Sequence, residues 1–158
     1  MPRRARKIKN TIQPDPIYKN RLITRLINRS MYDGKKSVAQ KQVYSAMDII
    51  KEKEGDPIKT FAKALENIKP VMEVRSRRVG GAAYQVPMPV RGPRKDTLAI
   101  RWLISAARDR SNSEYNTFGK KLAAEILDAA QGEGGAVKKN QDTQRMADAN
   151  RAFAHFKW

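Results

Sequence analysis

The side chains best placed to do chemistry in this chain are basic. Between Lys69 and Lys95 stand seven cations, Lys69, Arg75, Arg77, Arg78, Arg91, Arg94 and Lys95, and Glu73 is the only acid among them. A guanidinium fork matches a phosphate bidentately, and glycine lets a backbone approach a sugar-phosphate chain closely. A charge run is more often a solvated face. Here it falls on a hairpin containing Gly80 and Gly81 and on its roots, with Tyr84 interleaved, which favours nucleic-acid contact. A second group, Arg3, Arg4, Arg6, Lys7 and Lys9, precedes the first acid, Asp15. Such an arm is either a solvated tail or a phosphate-binding segment that orders on binding.

Catalytic groups are scarce. His155 is the single imidazole and there is no Cys, so a Ser–His pair or a metal site would have to rest on that one residue. Its neighbours Phe153, Phe156 and Trp158 fit an aromatic packing or hydrogen-bonding role instead. Gly132 to Gly135, followed by Lys138 and Lys139, lacks the spacing and the preceding strand of a phosphate-binding loop. Glu73, Glu114 and Glu125 show no acid/base spacing and read as surface or salt-bridge groups. No cofactor and no metal is expected.

Across 158 residues there are 33 Lys plus Arg against 16 Asp plus Glu, a formal net charge of +17. Such a chain repels itself, and a polyanion relieves that; nucleic acid is the commonest such partner. No apolar run approaches the roughly twenty residues of a membrane span. The absence of Cys suits a reducing, cytoplasmic setting.

Hydropathy then indicates the elements that must carry these groups. The length suits one domain over 1–158, with a basic arm over 1–15, a ribbon over 71–90 and a tail over 151–158. A first helix is expected from Pro16, with Asp15 as its cap and Leu22, Ile23, Leu26 and Ile27 repeating at helical spacing; Arg21, Arg25 and Arg29 form a basic stripe. Ala39, Val43, Ala46, Met47 and Ile50 mark a second helix ending near Gly55. Asp56-Pro57 opens a third, with Ile58, Phe61, Ala62, Leu65 and Ile68 on one face.

From Val71 to Val90 the period changes from 3.6 to two. Gly80-Gly81 closes a hairpin, and Pro87 and Pro89 must face an unpaired edge, so the hairpin is a two-stranded ribbon and not part of a larger sheet. Such a ribbon is marginal alone, and it is expected to project from a helical body. A fourth helix carries Leu98, Trp102, Leu103 and Ala106, capped by Asp96 or Thr97. A fifth carries Tyr115, Leu122, Ala123, Ile126 and Ala130, and a sixth, more polar, runs from about Ala136 to Asn150. The expected fold is mainly α: a six-helix body with a protruding two-stranded β-ribbon between helices three and four. An arm, a ribbon and several basic helix faces suit a folded RNA shape better than one DNA groove. A helix-turn-helix repressor would show a reading helix and a dimer seam, and no seam is visible. An enzyme acting on RNA would need the catalytic groups that are missing.

Several unconnected motifs carry a resemblance: DGKKS at 33–37, EVRSRRVGGAAYQVPMPVR at 73–91, LAIRW at 98–102, AVKK at 136–139 and ANRAFAHFKW at 149–158. The chain resembles the small-subunit ribosomal protein of family seven, bacterial type, from the opening MPRR to Trp158. Gln144, Pro89 and the segment NSEYNTFGKK depart from the family's pattern.

The resemblance implies a non-catalytic protein of the small ribosomal subunit, cytoplasmic or organellar, that binds ribosomal RNA directly and nucleates assembly of the head near the decoding region. It implies contacts with exit-site transfer RNA, upstream messenger and small-subunit proteins nine and eleven, and no obligate homo-oligomer. On this chain the ribosomal-RNA role falls on Arg3 to Lys9, Lys35 and Lys36, and Arg75, Arg77 and Arg78. The neighbouring basic groups Arg25, Arg91, Arg94, Lys95, Arg101 and Arg108 are included with them. The ribbon tip, Val79, Gly80, Gly81, Ala82, Ala83 and Tyr84, takes the transfer-RNA and messenger side.

Overall fold

A computed structural model describes residues 12–156. The elements run α1 (Arg21–Ser30), α2 (Lys36–Glu54), α3 (Pro57–Ile68), β1 (Met72–Val79), β2 (Ala82–Pro89), α4 (Pro93–Asp109), α5 (Phe118–Gln131) and α6 (Gly135–Ala149), followed by a 3-10 turn, Arg151–Phe156. The expected six helices and intervening ribbon are thus present among the described residues.

The first helix starts later than Asp15-Pro16 suggested. Asp15 caps only a single turn, accepting from the backbone N–H groups of Ile17 and Tyr18 at 3.1 Å. Lys19 then takes φ 50°, which no helix continues, and Asn20 caps α1 by accepting from the Leu22 N–H at 2.8 Å. Asp15 is itself buried and accepts from the Tyr44 hydroxyl at 2.8 Å, so the body begins before residue 16.

The end of α2 at Gly55 and the start of α3 after Asp56 follow the sequence signals. The Asp56 carboxylate accepts from Ile58 and Lys59 N–H groups at 3.1 and 3.2 Å, with Pro57 where a free N–H is not needed. On α3 the buried stripe is Phe61, Ala64, Leu65 and Ile68; Ala62 is exposed and Ile58 half-buried. The fourth helix also starts earlier than expected. Gly92 at φ 53° turns the chain and Pro93 opens α4, so Asp96 and Thr97 lie inside it and not at its cap. Tyr115 precedes α5, which Thr117 caps.

α5 packs against α2, α3 and α4 and is buried along most of its circumference, as a central helix must be. Its Leu122 and Ile126 meet Met47, Ile50, Leu65 and Leu103 in one hydrophobic core. Each such side chain, fully buried, contributes about 1.5–3 kcal/mol. Gly119 sits where a Cβ would lie 2.9 Å from the Gln42 carbonyl oxygen, which lets α5 approach α2 closely.

One charged cluster penetrates this packing. Glu125 is 1% exposed; its Oε2 accepts from Arg110 Nε at 2.7 Å and its Oε1 from the Ala136 N–H at 2.9 Å. Arg110 also pairs with Asp128, and Lys121 donates to the Arg110 carbonyl. The cluster joins the end of α4, the middle of α5 and the start of α6.

Candidate nucleic-acid interface

The ribbon is built by its turn. Gly80 and Gly81 take φ 57° and 90°, the two successive positive values of a tight hairpin turn, and pair Val79 with Ala82. The register then follows without choice: Arg77 faces Tyr84, Arg75 faces Val86, and Glu73 faces Met88. Val90 donates to the Val71 carbonyl at 2.9 Å, and the two-residue alternation puts Pro87 and Pro89 at positions that need no donor. Because side chains alternate, Arg75 and Arg77 share one face and Arg78 lies on the other.

The inner face is anchored at the root by Val86 and Val90, both buried. Beside them lies Glu73, 8% exposed. Its Oε1 accepts from Arg75 at 2.5 Å and its Oε2 from Arg94 at 2.7 Å. Burial pushes this carboxyl up, but the Arg94 and Arg75 guanidinium groups outweigh it and hold it below the ordinary value of 4.5. A cleft of about 340 Å³ is lined here by Glu73, Arg75, Met88, Pro89, Arg91 and Arg94. Three guanidinium groups and one carboxylate line it, two of the three paired with that carboxylate, so the cleft keeps a surplus of positive charge. That arrangement can hold a phosphate while Glu73 fixes the forks that reach it.

The other basic groups fall into two neighbourhoods. Lys35 and Lys36 are exposed at the first turn of α2, after Asp33 and Gly34 at φ 49° and 73°. The helix N-terminus adds its own positive end to theirs. Arg108 reaches this loop, donating to the Ser30 carbonyl at 3.1 Å and lying 4.0 Å over the Tyr32 ring. Between the two neighbourhoods, Asp96 accepts from Arg25 at 3.4 Å and pairs with Lys69 at 3.2 Å. Glu66, despite opposing burial and with help from Asp96, holds the Lys69 ammonium above its ordinary value. Arg25 is therefore partly committed within the protein. Lys95 is half-buried and Arg101 exposed. Arg3, Arg4, Arg6, Lys7 and Lys9 lie outside the described residues.

At the tip, Gly80 to Ala83 are exposed. Tyr84 differs from them. Its ring lies 5.3 Å from Phe153 and 5.1 Å from Phe156, so the 3-10 turn clasps the second strand. Sequence reasoning placed Tyr84 with the tip and missed this contact; the only signal was a cluster of aromatics in the tail. His155 is exposed, with Nδ1 2.8 Å from the Ala152 carbonyl and its ring 4.0 Å from that of Phe156. This is the packing and hydrogen-bonding role expected of it. Among the described residues no group of His, Cys, Asp and Glu is arranged to hold a metal ion, and no helix is long and apolar enough to cross a membrane.

Residues 2–151 match the family described as ribosomal protein S7p/S5e. The chain is 56% identical to small ribosomal subunit protein uS7 of Carboxydothermus hydrogenoformans, covering all of both chains. It is 57% identical to the protein of that name from Caldicellulosiruptor bescii and 55% identical to that from Desulfovibrio desulfuricans, again over both full lengths. With a helical body, a basic ribbon and a match along nearly its whole length, the chain belongs to the ribosomal protein S7p/S5e family.

Proposed function

We propose that the protein is a structural, non-enzymatic constituent of the small ribosomal subunit that binds ribosomal RNA directly and nucleates assembly of the head. Its family membership supports the ribosomal setting, with ribosomal RNA and neighbouring ribosomal proteins as partners. The observation that carries the RNA reading is the ribbon root, where Arg75 and Arg94 pair with the buried Glu73 and Arg91 lines the same cleft. Lys35 and Lys36 form a second phosphate-binding point on the body, and Arg3 to Lys9 a third. The exposed tip, Gly80 to Ala83, carries no charge and suits a steric role beside a ligand that must come and go. In this family resemblance that ligand is exit-site transfer RNA beside upstream messenger. Small-subunit proteins nine and eleven are the neighbours it implies.

The test separates anchoring from reach. Replacing Arg75, Arg77 and Arg78 by Ala should weaken RNA binding and subunit reconstitution, because phosphate contacts supply much of such affinity. Arg75 also holds Glu73, so Arg78→Ala, on the outer face, gives the cleaner single comparison. Replacing residues 79–83 by a shorter turn should leave assembly largely intact and change exit-site occupancy or frame fidelity. A shortened tip that blocked assembly as severely as the triple Arg change would end this division of labour.

A further inference from the structure

We propose that the cleft beside the α1–α2 loop receives a single unstacked nucleobase of the bound RNA. The inference rests on the reading above that the chain binds ribosomal RNA, and it assigns a chemistry to one part of the surface.

Tyr32 and Val38 are 64% and 54% exposed, and unlike the other exposed large apolar side chains, Ile17, Val71 and Met146, they share one cleft. They line one cleft of about 340 Å³ with Ala39, Gln42 and Phe118. That volume lies at the lower end of the roughly 300–1,000 Å³ of small-ligand sites, which suits one planar ring system and not a duplex. The walls are mostly apolar; the rim is cationic. Lys35 and Arg108 border the opening, and Lys36 follows at the first turn of α2. Asp33 is the one acid on that loop.

Charge complementarity selects the occupant. An apolar protein segment would gain from the walls but not from the rim. A nucleotide uses both, with its base against Tyr32 and its phosphate on Lys35 or Lys36. Arg108, 4.0 Å over the Tyr32 ring and tied to the Ser30 carbonyl, fixes the tilt of that ring. Gln42 supplies an amide at the wall. Its Oε1 accepts from the Gly119 N–H at 2.9 Å, which leaves its NH2 group to meet a base edge. Single-stranded RNA is recognised by this pairing of aromatic face and cationic groove.

The experiment measures affinity of the full chain for in vitro-transcribed small-subunit ribosomal RNA across a salt series. Tyr32→Ala should weaken binding about 5- to 150-fold at every salt concentration, the range for one base stacked on a ring, and leave the salt slope unchanged. Tyr32→Phe should bind like the parent chain. Val38→Ser, at a position already exposed, should weaken binding in the same slope-neutral way if Tyr32→Ala disturbs the fold. Lys35→Gln with Lys36→Gln should instead flatten the slope. Unchanged affinity in folded Tyr32→Ala and Val38→Ser would overturn the inference. So would an equal loss in Tyr32→Phe, or a loss of another ribosomal protein from the particle with RNA affinity intact. A parent chain that binds no ribosomal RNA would defeat the wider functional reading, a separate result.

Discussion

Removing the Arg110 guanidinium should destabilise the body more than any change on the basic surface. Arg110→Met keeps the aliphatic stem and deletes the fork. Glu125, with its side chain 2% exposed, would then keep only the Ala136 N–H at 2.9 Å among these contacts. Breaking a buried pair from one side costs about 3–5 kcal/mol, because the remaining charge stays desolvated. Arg110 is itself 18% exposed and shares its charge with a half-exposed Asp128, which puts the cost near the low end, about 3 kcal/mol. For a chain of this size that corresponds to a fall in Tm of about 6–12 °C. Glu125→Gln alone should cost less, since its amide oxygen still accepts from Ala136 and Arg110 keeps Asp128. The double variant should recover much of the Arg110→Met loss, because no unpaired charge is left. Thermal unfolding followed by circular dichroism measures all three. A fall below about 2 °C for Arg110→Met, or a double variant equal to the sum of the singles, would refute the claim that the pair neutralises a buried charge.

Three further expectations concern the ribbon, α5 and the arm. A carboxyl held below its ordinary value contributes stability that is present above that value and lost as pH falls through the lower folded one. Glu73→Gln should therefore reduce amide-exchange protection of the ribbon at neutral pH, and its difference from the parent chain should shrink as pH drops below 4.5. Gly119→Ala places a methyl 2.9 Å from the Gln42 carbonyl and 3.2 Å from its Oε1, so it should cost about 1–3 kcal/mol in denaturant titration despite the better helix former. Deleting residues 1–9 should flatten the salt dependence of ribosomal-RNA binding by about 0.7–0.9 per lost phosphate contact; an unchanged slope would make the arm a solvated tail.

The parts of the fold legible in the sequence are those set by local chemistry. Asp56-Pro57 and Gly55 fixed the α2–α3 junction because a cap, a proline and a positive-φ glycine act within a few residues. Gly80-Gly81 fixed the hairpin register, and with it the faces of Arg75, Arg77 and Arg78. The misjudged starts of α1 and α4 arose where two local signals competed. Asp15 was free to cap a lone turn, and Asp96 looked like a cap although Gly92-Pro93 had already opened the helix.

The candidate interface was legible as composition but not as geometry. Its basic residues could be named, yet which were free and which were paired depended on partners far along the chain. Arg94 finds Glu73 across 21 residues and Arg25 finds Asp96 across 71, separations that periodicity does not report. The clasp of Tyr84 by Phe153 and Phe156 was invisible for the same reason.

That clasp has a consequence for the order of synthesis. Both ribbon strands leave the translating ribosome ahead of α4, α5 and α6, and the rings that hold Tyr84 emerge only after all of them. The early helices cannot complete their packing until α5, the central helix, has emerged, since a domain folds as a unit. The ribbon waits as well, its hairpin closed by Gly80-Gly81 but with neither α6 nor the aromatic turn yet against it. A nascent chain halted before Arg151 would hold the core helices, every ribbon arginine and α6 against both strands, and still lack the rings that clasp Tyr84. The last contact on the second strand is thus made by residues synthesised near the end of translation.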